Sequence, residues 1–230
     1  MVNIQEIPVV ILAGGKGTRL KEHTKLIPKP MVKIINKPII CYIIEHYRKY
    51  GLKKFIIAAG YKSAIIKEYF KEDKNIKVCF TGINSMTGGR LRKLKNKING
   101  TFFLTYGDGL SDINIKRLYN YHCSHKKIAT ITAVHPISRF GEISLNKNCT
   151  VKSFNEKPQV KNDWINGGFF VFNYEIFKYL RGDQEILEKY PLQKISKLNQ
   201  LKAYKHNKFW HCVDTIRDIE NVSLILKKNL

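Results

Sequence analysis

The chain has 230 residues, a length that holds one sizeable α/β domain or at most two small ones. Its 43% hydrophobic and 26% charged residues are typical of a soluble globular protein, and no apolar run approaches the roughly 20 residues of a membrane span. The N-terminus lacks the basic start of a secretory signal. Five widely spaced cysteines without a CxxC motif argue against a disulfide framework or a zinc site. We therefore expect a cytoplasmic protein.

The net charge is +23, and lysine supplies 33 of the 41 basic residues. These lysines are scattered along the whole chain, whereas nucleic-acid-binding proteins more often concentrate basic residues on one element with aromatic residues between them. The distribution favours a lysine-rich solvated surface. Attraction of nucleotides, acidic membranes or RNA is also compatible with it, so the charge alone assigns no function.

Strands and helices are predicted to alternate over the first 135 residues. The helix after Pro38 repeats apolar residues at spacings of three and four, and Gly51 marks its end. In chain order we predict a strand at 7–12, a helix at 38–50, a strand at 55–59, a helix at 63–70, strands at 76–80 and 101–106, a helix at 112–125 capped by Asp112, and a strand at 128–134. This alternation favours a Rossmann-like α/β fold whose mixed, mainly parallel sheet carries helices on both faces.

The later elements are predicted to add antiparallel parts. They comprise a hairpin of strands 142–145 and 151–155, a strand at 165–172 broken by Gly167 and Gly168, helices at 174–180 and 192–198, a last strand pair at 203–205 and 209–213, and a helix at 217–226. The sequence contains neither a linker nor an internal repeat. We therefore predict a single domain over residues 1–230.

A glycine-rich segment, Leu12 to Leu20, directly follows the first strand and reads L-A-G-G-K-G-T-R-L. Glycines at such a place let the backbone approach a phosphate or a base, and the N–H groups can surround an anion. Neither GxxxxGK[ST] nor GxGxxG is present. Taken alone, the segment is as compatible with a tight connection as with a nucleotide-binding loop.

Three charged residues are further candidates for chemistry. Pro28 and Pro30 predict a stiff, extended backbone from which Lys29 reaches a phosphate. Asp108 follows a strand at the sheet edge where α/β proteins bind ligands, and its carboxylate suits Mg²⁺. Asp214 follows the last strand and is either a second ligand of that metal or the cap of the terminal helix. A solvated loop lysine and an Asp-Gly turn are the ordinary explanations of Lys29 and Asp108.

The order and combination of the motifs resemble the sugar-1-phosphate nucleotidyltransferase family. The motifs are L-A-G-G-x-G-T-R-L, P-K-P-M, Y-G-D-G, F-x-E-K-P, N-G-G-F and D-T, and they extend from about Val9 to Asp218. Within the family, the finer match is to the members that use CTP and glucose 1-phosphate. The blocks that carry this match include S-M-T-G-G-R-L at 85–91, T-Y-G-D-G at 105–109, R-F-G at 139–141 and I-N-G-G-F-F-V at 165–171.

The resemblance implies a role for each matching residue. The implied nucleotide-binding residues are Leu12, Ala13, Gly14, Gly15, Lys16, Gly17, Thr18, Arg19, Lys29, Ser85, Arg90 and Gly107. The implied residues for the sugar phosphate are Glu156, Lys157, Asn166 and Gly167. The implied metal ligands for the cofactor Mg²⁺ are Asp108 and Asp214. The implied catalytic residues are Arg19, Lys29 and Asp108, with Arg19 facing the departing pyrophosphate.

The implied reaction joins CTP to a sugar 1-phosphate, with α-D-glucose 1-phosphate as the expected acceptor, and gives a CDP-sugar and pyrophosphate. One alternative is the same reaction with another nucleotide or another phosphorylated acceptor. A second alternative is a basic nucleic-acid-binding protein without activity, which predicts binding with a steep salt dependence. The expected partners are CTP and the sugar 1-phosphate, without nucleic acid or membrane insertion, and self-association into a homo-oligomer stays open.

Overall fold

The computed structural model describes residues 4–20, 24–138, 140–160 and 163–228, so Arg139 of the R-F-G block lies outside the described residues. The strands are β1 (Val9–Ala13), β2 (Lys33–Ile34), β3 (Lys37–Pro38), β4 (Phe55–Ala59), β5 (Ile76–Phe80), β6 (Phe102–Tyr106), β7 (Gly109–Ser111), β8 (Ala129–Val134), β9 (Glu142–Leu145), β10 (Val151–Asn155), β11 (Ile165–Phe172), β12 (Leu201–His206) and β13 (Trp210–Cys212). The α-helices are α1 (Ile39–Arg48), α2 (Ser63–Tyr69), α3 (Thr87–Arg92), α4 (Ile115–His125), α5 (Tyr190–Lys197) and α6 (Ile216–Lys228). The predicted helix at 174–180 is a 3-10 helix, Tyr174–Tyr179.

The central sheet has seven strands in the order β12-β8-β11-β6-β1-β4-β5. Neighbours run parallel from β6 through β1 and β4 to β5, and β12 runs parallel to β8. Strand β11 is antiparallel to both of its neighbours, β6 and β8. The predicted mixed, mainly parallel sheet is therefore confirmed.

Both faces of the sheet are covered by helices, as predicted. All residues of β1 and β4 are buried, which explains why these strands are apolar throughout rather than alternating. Successive side chains point to opposite faces. Val9 and Ile11 join a cluster with residues of α1, α2, α4 and α6, whereas Val10 and Leu12 join one with residues of α3 and α5.

The predicted cap of helix α4 is wrong. The helix begins at Ile115, and the Asn114 side chain accepts a hydrogen bond from the Arg117 N–H at 2.9 Å. Asp112 lies just after β7, and its N–H donates to the Phe209 carbonyl. Its carboxylate lies 3.0 Å from the His206 ring nitrogen instead.

The predicted pairing of the last two strands is also wrong. Strand β12 joins the central sheet beside β8, while β13 pairs antiparallel with β7 in a small separate sheet. In β11 the strand continues through Gly167 and Gly168, but its register against β8 shifts between Asn166 and Phe170. The two glycines therefore accommodate a local irregularity without ending the strand.

Strands β9 and β10 form the predicted antiparallel hairpin, and all of their residues are exposed. The hairpin leads back to the sheet through the E-K-P motif and so flanks the edge where the site described below is found. Within the described residues, no helix combines the length and apolar character needed to cross a lipid bilayer.

Candidate active site

A cavity of about 1140 Å³ opens at the edge of the central sheet where the parallel strands end. The segments that follow β1, β6 and β13 line it. The start of β11 lines it too, because this strand runs antiparallel to β6 and begins where β6 ends. Four segments that are distant in sequence thus converge on one space, the usual position of ligand sites in open α/β sheets.

The glycine-rich loop after β1 is shaped by Arg90 of α3. This side chain is buried, and its guanidinium donates hydrogen bonds to the carbonyls of Gly14 at 2.8 Å and Gly82 at 2.6 Å. A Cβ atom on Gly14 would overlap the guanidinium, so a larger residue there would displace the Arg90 side chain. Gly17 has φ +63°, a conformation that also favours glycine. Arg90 therefore fixes the loop backbone; its direct contact with a nucleotide stays a prediction.

Lys29 lies between the two predicted metal ligands. Its Nζ donates to Asp108 Oδ2 and to Asp214 Oδ1, both at 2.6 Å. Burial lowers the pKa of the ammonium, but hydrogen bonds and attraction from the two carboxylates outweigh it, so the pKa lies above its usual value. The predicted extended backbone holds only at Pro28, because Lys29–Met31 forms a single 3-10 turn. The structure thus brings the sequence-distant charged residues together, with Arg19 bound to Asp214 at 2.5 Å.

The start of α6 explains why Asp214 faces the cavity rather than capping the helix. Thr215 and Asp218 form a reciprocal cap: the Asp218 carboxylate accepts from the Thr215 N–H at 2.7 Å, and the Thr215 hydroxyl accepts from the Asp218 N–H at 3.3 Å. The same carboxylate accepts from the Asp214 N–H at 3.0 Å. Hydrogen bonds to Asp218 therefore hold the backbone of Asp214, while the Asp214 side chain faces the cavity and pairs with Lys29 and Arg19.

The acidic pair has the donor chemistry of a divalent-cation site. One oxygen from each of Asp108 and Asp214 and the Sγ of Cys212 lie within 4.8 Å of one another. Burial and the two neighbouring carboxylates raise the pKa of the Cys212 thiol, and Mg²⁺ prefers oxygen ligands to sulfur. The two carboxylates remain as hard oxygen ligands, and Mg²⁺ typically takes one or two of these together with phosphates and water. The residues present thus fit a magnesium ion.

The cavity is also lined by Lys157, Asn166 and Gly167. The Asn166 side chain donates to the Tyr106 hydroxyl at 3.1 Å and accepts from the Gly168 N–H at 2.8 Å. The indole N–H of Trp210 donates to the Gly167 carbonyl at 2.7 Å. Hydrogen bonds with Tyr106 of β6 and Trp210 of β13 therefore hold Asn166 and Gly167 in place.

Most of the predicted site residues line this one cavity. The exceptions are Lys16, Ser85 and Glu156, which lie outside its lining. The Ser85 hydroxyl is buried and donates to the Thr81 carbonyl at 2.6 Å, and the exposed Glu156 pairs with Lys157 at 3.5 Å. Their predicted contacts with ligands stay predictions.

Several residues that line the cavity were not predicted from the sequence, among them Tyr106, Glu188 and Cys212. Tyr106 and Cys212 each lie two residues from a predicted metal ligand, so their proximity was a usable signal. Glu188 lies in a segment with no recognised motif, and the sequence offered no signal for it.

Comparisons with known proteins agree with this arrangement. A sequence model of the nucleotidyl transferase family matches residues 8–229. Glucose-1-phosphate cytidylyltransferase of Salmonella typhimurium is 40% identical over 91% of each chain. A probable glucose-1-phosphate cytidylyltransferase of Bacillus subtilis is 37% identical over 93% of this chain and 94% of its own.

A solved structure also resembles the fold at recognisable sequence identity. HddC from Yersinia pseudotuberculosis superposes with a TM-score of 0.73 at 27% identity, covering 96% of this chain and 99% of its own. A second structure of HddC, complexed with GMP-PN, gives a TM-score of 0.72 at 26% identity over the same shares of the two chains. The family match and the relatives confirm the resemblance that the motifs predict. The chain therefore belongs to the nucleotidyl transferase family.

Proposed function

We propose that the protein transfers a cytidylyl group from CTP to α-D-glucose 1-phosphate, giving CDP-glucose and pyrophosphate in a Mg²⁺-dependent reaction. The observation that carries the proposal is the convergence of Lys29, Asp108 and Asp214 in the cavity that the glycine-rich loop borders. The choice of CTP and glucose 1-phosphate is supported by the two relatives at 40% and 37% identity.

The nucleotide would occupy the end of the cavity formed by the loop after β1. Glycines there leave the backbone open to the base, ribose and triphosphate. Arg90 holds this loop through the Gly14 carbonyl, which keeps its shape before the nucleotide arrives. Arg19 is largely exposed, borders the cavity and pairs with Asp214, and its guanidinium would contact the departing pyrophosphate.

The chemical obstacle is the repulsion between two polyanions. Two unit charges 4 Å apart repel by roughly 4 kcal/mol at a surface-like dielectric. Lys29 and Lys157 both line the cavity, where their positive charge would offset this repulsion and help to hold the attacking geometry. Enzymes of this family generally use a divalent metal ion. Bound by Asp108 and Asp214, Mg²⁺ would act as a Lewis acid that stabilises negative charge on the phosphates.

The reaction needs no general base. The second pKa of a phosphate monoester is about 6, so the sugar phosphate is already an anion at neutral pH. Its oxygen forms the new bond to the α-phosphorus, and the bond to the departing pyrophosphate breaks. The protein's task is then to align the two substrates, which fits a cavity built from charged and hydrogen-bonding groups.

The test is pyrophosphate release measured with Mg²⁺, each of the four nucleoside triphosphates in turn, and a panel of sugar 1-phosphates. We expect turnover with CTP and glucose 1-phosphate to exceed turnover with every other pair. A clear preference for another nucleotide or another sugar would refute the assignment of substrates but keep the reaction. Failure of every pair would refute the reaction itself.

A guanylyl transfer is the alternative with an observation behind it, because the HddC structure complexed with GMP-PN shares the fold at 26% identity. The same panel of nucleotides distinguishes it, since GTP would then replace CTP as the preferred donor. A nucleic-acid-binding protein without activity predicts instead that RNA or DNA binds with a steep salt dependence and that no substrate pair reacts.

A further inference from the structure

A network of hydrogen bonds between residues that line the cavity joins α3 to the start of β11. The Glu188 carboxylate accepts from the Thr87 hydroxyl at 2.7 Å with one oxygen and from the Tyr106 hydroxyl with the other. The Tyr106 oxygen accepts in turn from the Asn166 side chain. These residues all line the cavity, and the hydrogen bonds end at the Asn166 side-chain amide, which is predicted to bind the sugar phosphate.

We propose that Glu188 is a positioning residue that sets the orientation of the Asn166 amide toward the sugar-phosphate acceptor, acting through Tyr106. This inference rests on the proposed function, because it takes the acceptor to bind beside Asn166. The Tyr106 hydroxyl donates its one proton to the Glu188 carboxylate. The Tyr106 oxygen is then left to accept, and only an N–H group of Asn166 can serve as its donor.

The amide is thereby fixed in one of its two orientations. With the nitrogen toward Tyr106, the Asn166 oxygen points to the Gly168 N–H, from which it accepts at 2.8 Å. One N–H of the amide is used by Tyr106, and no second acceptor for this nitrogen is found among the described residues. The remaining N–H can therefore donate to an anionic acceptor in the cavity.

Two further contacts make the arrangement rigid. A Cβ on Gly168 would overlap the Tyr106 ring, and its φ of +76° also favours glycine, so ring and strand are in close contact. The Thr87 hydroxyl accepts from the Leu187 N–H at 2.9 Å while it donates to Glu188.

The experiment compares steady-state kinetics of wild type, Glu188→Gln and Tyr106→Phe, with CTP and the sugar 1-phosphate varied separately. We expect the KM for the sugar phosphate to rise about tenfold, because outer partners that orient binding groups are typically worth 10- to 100-fold. The KM for CTP should change less than about twofold by the same argument. Glutamine has one acceptor oxygen and cannot serve both hydroxyls, whereas phenylalanine removes the bridge.

Glu185→Gln is the matched control, because Glu185 is in the same segment but does not line the cavity. A mutant cycle adds the decisive readout: in an Asn166→Ala background, Glu188→Gln should cause no further rise in the KM for the sugar phosphate. If the effects of Asn166→Ala and Glu188→Gln on this KM were additive, or if both KM values rose equally, the positioning role of Glu188 would be refuted. The proposed function would still stand. A wild type that turns over no substrate pair would overturn both.

Discussion

At the scale of single residues, the predicted metal ligands Asp108 and Asp214 can be tested most directly. Asp108→Asn and Asp214→Asn each keep the shape of the side chain but remove a negative charge and a strong oxygen ligand. We expect each to lower the rate of pyrophosphate release roughly 100-fold or more. The remaining carboxylate still pairs with Lys29, so the fold should persist, and this can be checked by circular dichroism and thermal unfolding.

Asp73→Asn provides the matched control, because Asp73 pairs with Arg48 at the surface and does not line the cavity. It should retain the wild-type rate. Near-normal turnover in Asp108→Asn or Asp214→Asn at saturating Mg²⁺ would contradict the assignment of these residues as metal ligands.

Gly14 tests how the nucleotide loop is held. Gly14→Ala places a methyl group where the buried Arg90 guanidinium lies, so that side chain must move away from the Gly14 and Gly82 carbonyls. We expect the free energy of unfolding to fall by about 1–3 kcal/mol, as overpacked buried sites do. Gly15→Ala meets open space and should leave stability nearly unchanged. Urea unfolding of both variants measures the difference. Equal stabilities would show that the loop or Arg90 can shift at little cost in free energy.

At the scale of elements, the hairpin of β9 and β10 returns to the cavity through Lys157. Lys157 has φ +47° and lines the cavity beside Asn166. We expect Lys157→Ala to raise the KM for the sugar phosphate and to leave the KM for CTP nearly unchanged, because its charge belongs to the acceptor end. The control is Lys152→Ala on exposed β10. If only the KM for CTP rose, the acceptor would have to bind elsewhere.

Helix α4 joins the sheet through a buried histidine with a predictable pH response. The His122 ring contacts the Thr130 hydroxyl at 2.8 Å and the Asn173 side-chain oxygen at 3.1 Å. Burial lowers the pKa of His122, so the unfolded chain binds a proton that the folded chain resists. The stabilisation from this group is therefore complete above the ordinary histidine pKa of about 6.5 and is lost as the pH falls below it.

We accordingly expect the free energy of unfolding to decrease between about pH 7 and pH 5, with His122→Gln showing a shallower decrease. Burial lowers the pKa of His46 and His125 as well, so the slope should shrink without vanishing. Urea unfolding at several pH values provides the measurement. An unchanged slope in His122→Gln would show that α4 tolerates the charged ring.

At the scale of the whole molecule, features determined within one segment could be predicted from the sequence, whereas contacts between distant segments could not. The runs of β1 and β4 were recognisable because burial on both faces makes such strands apolar throughout. The glycine-rich loop and Asp108 were recognisable from their places after strands. The partners of β12 and β13 were not, because strand pairing between distant segments leaves little trace in either one.

The candidate site shows the same division. Its charged residues were predicted individually, but the contact of Lys29 with both carboxylates joins residues 79 and 185 positions apart. Arg90 and Gly14 are 76 positions apart, and Glu188 and Tyr106 are 82. Such contacts are set by the sheet order rather than by any single segment, so they emerge only from the assembled fold.

The position of Lys29 has a consequence for handling the protein. Its ammonium is an internal counterion that offsets the repulsion between Asp108 and Asp214 when no divalent ion is supplied. A chelating buffer should therefore leave the melting temperature nearly unchanged while it stops turnover. In Lys29→Met the counterion is gone, and melting should then become sensitive to the chelator. Lys29 would thus keep the enzyme folded when the metal site is empty.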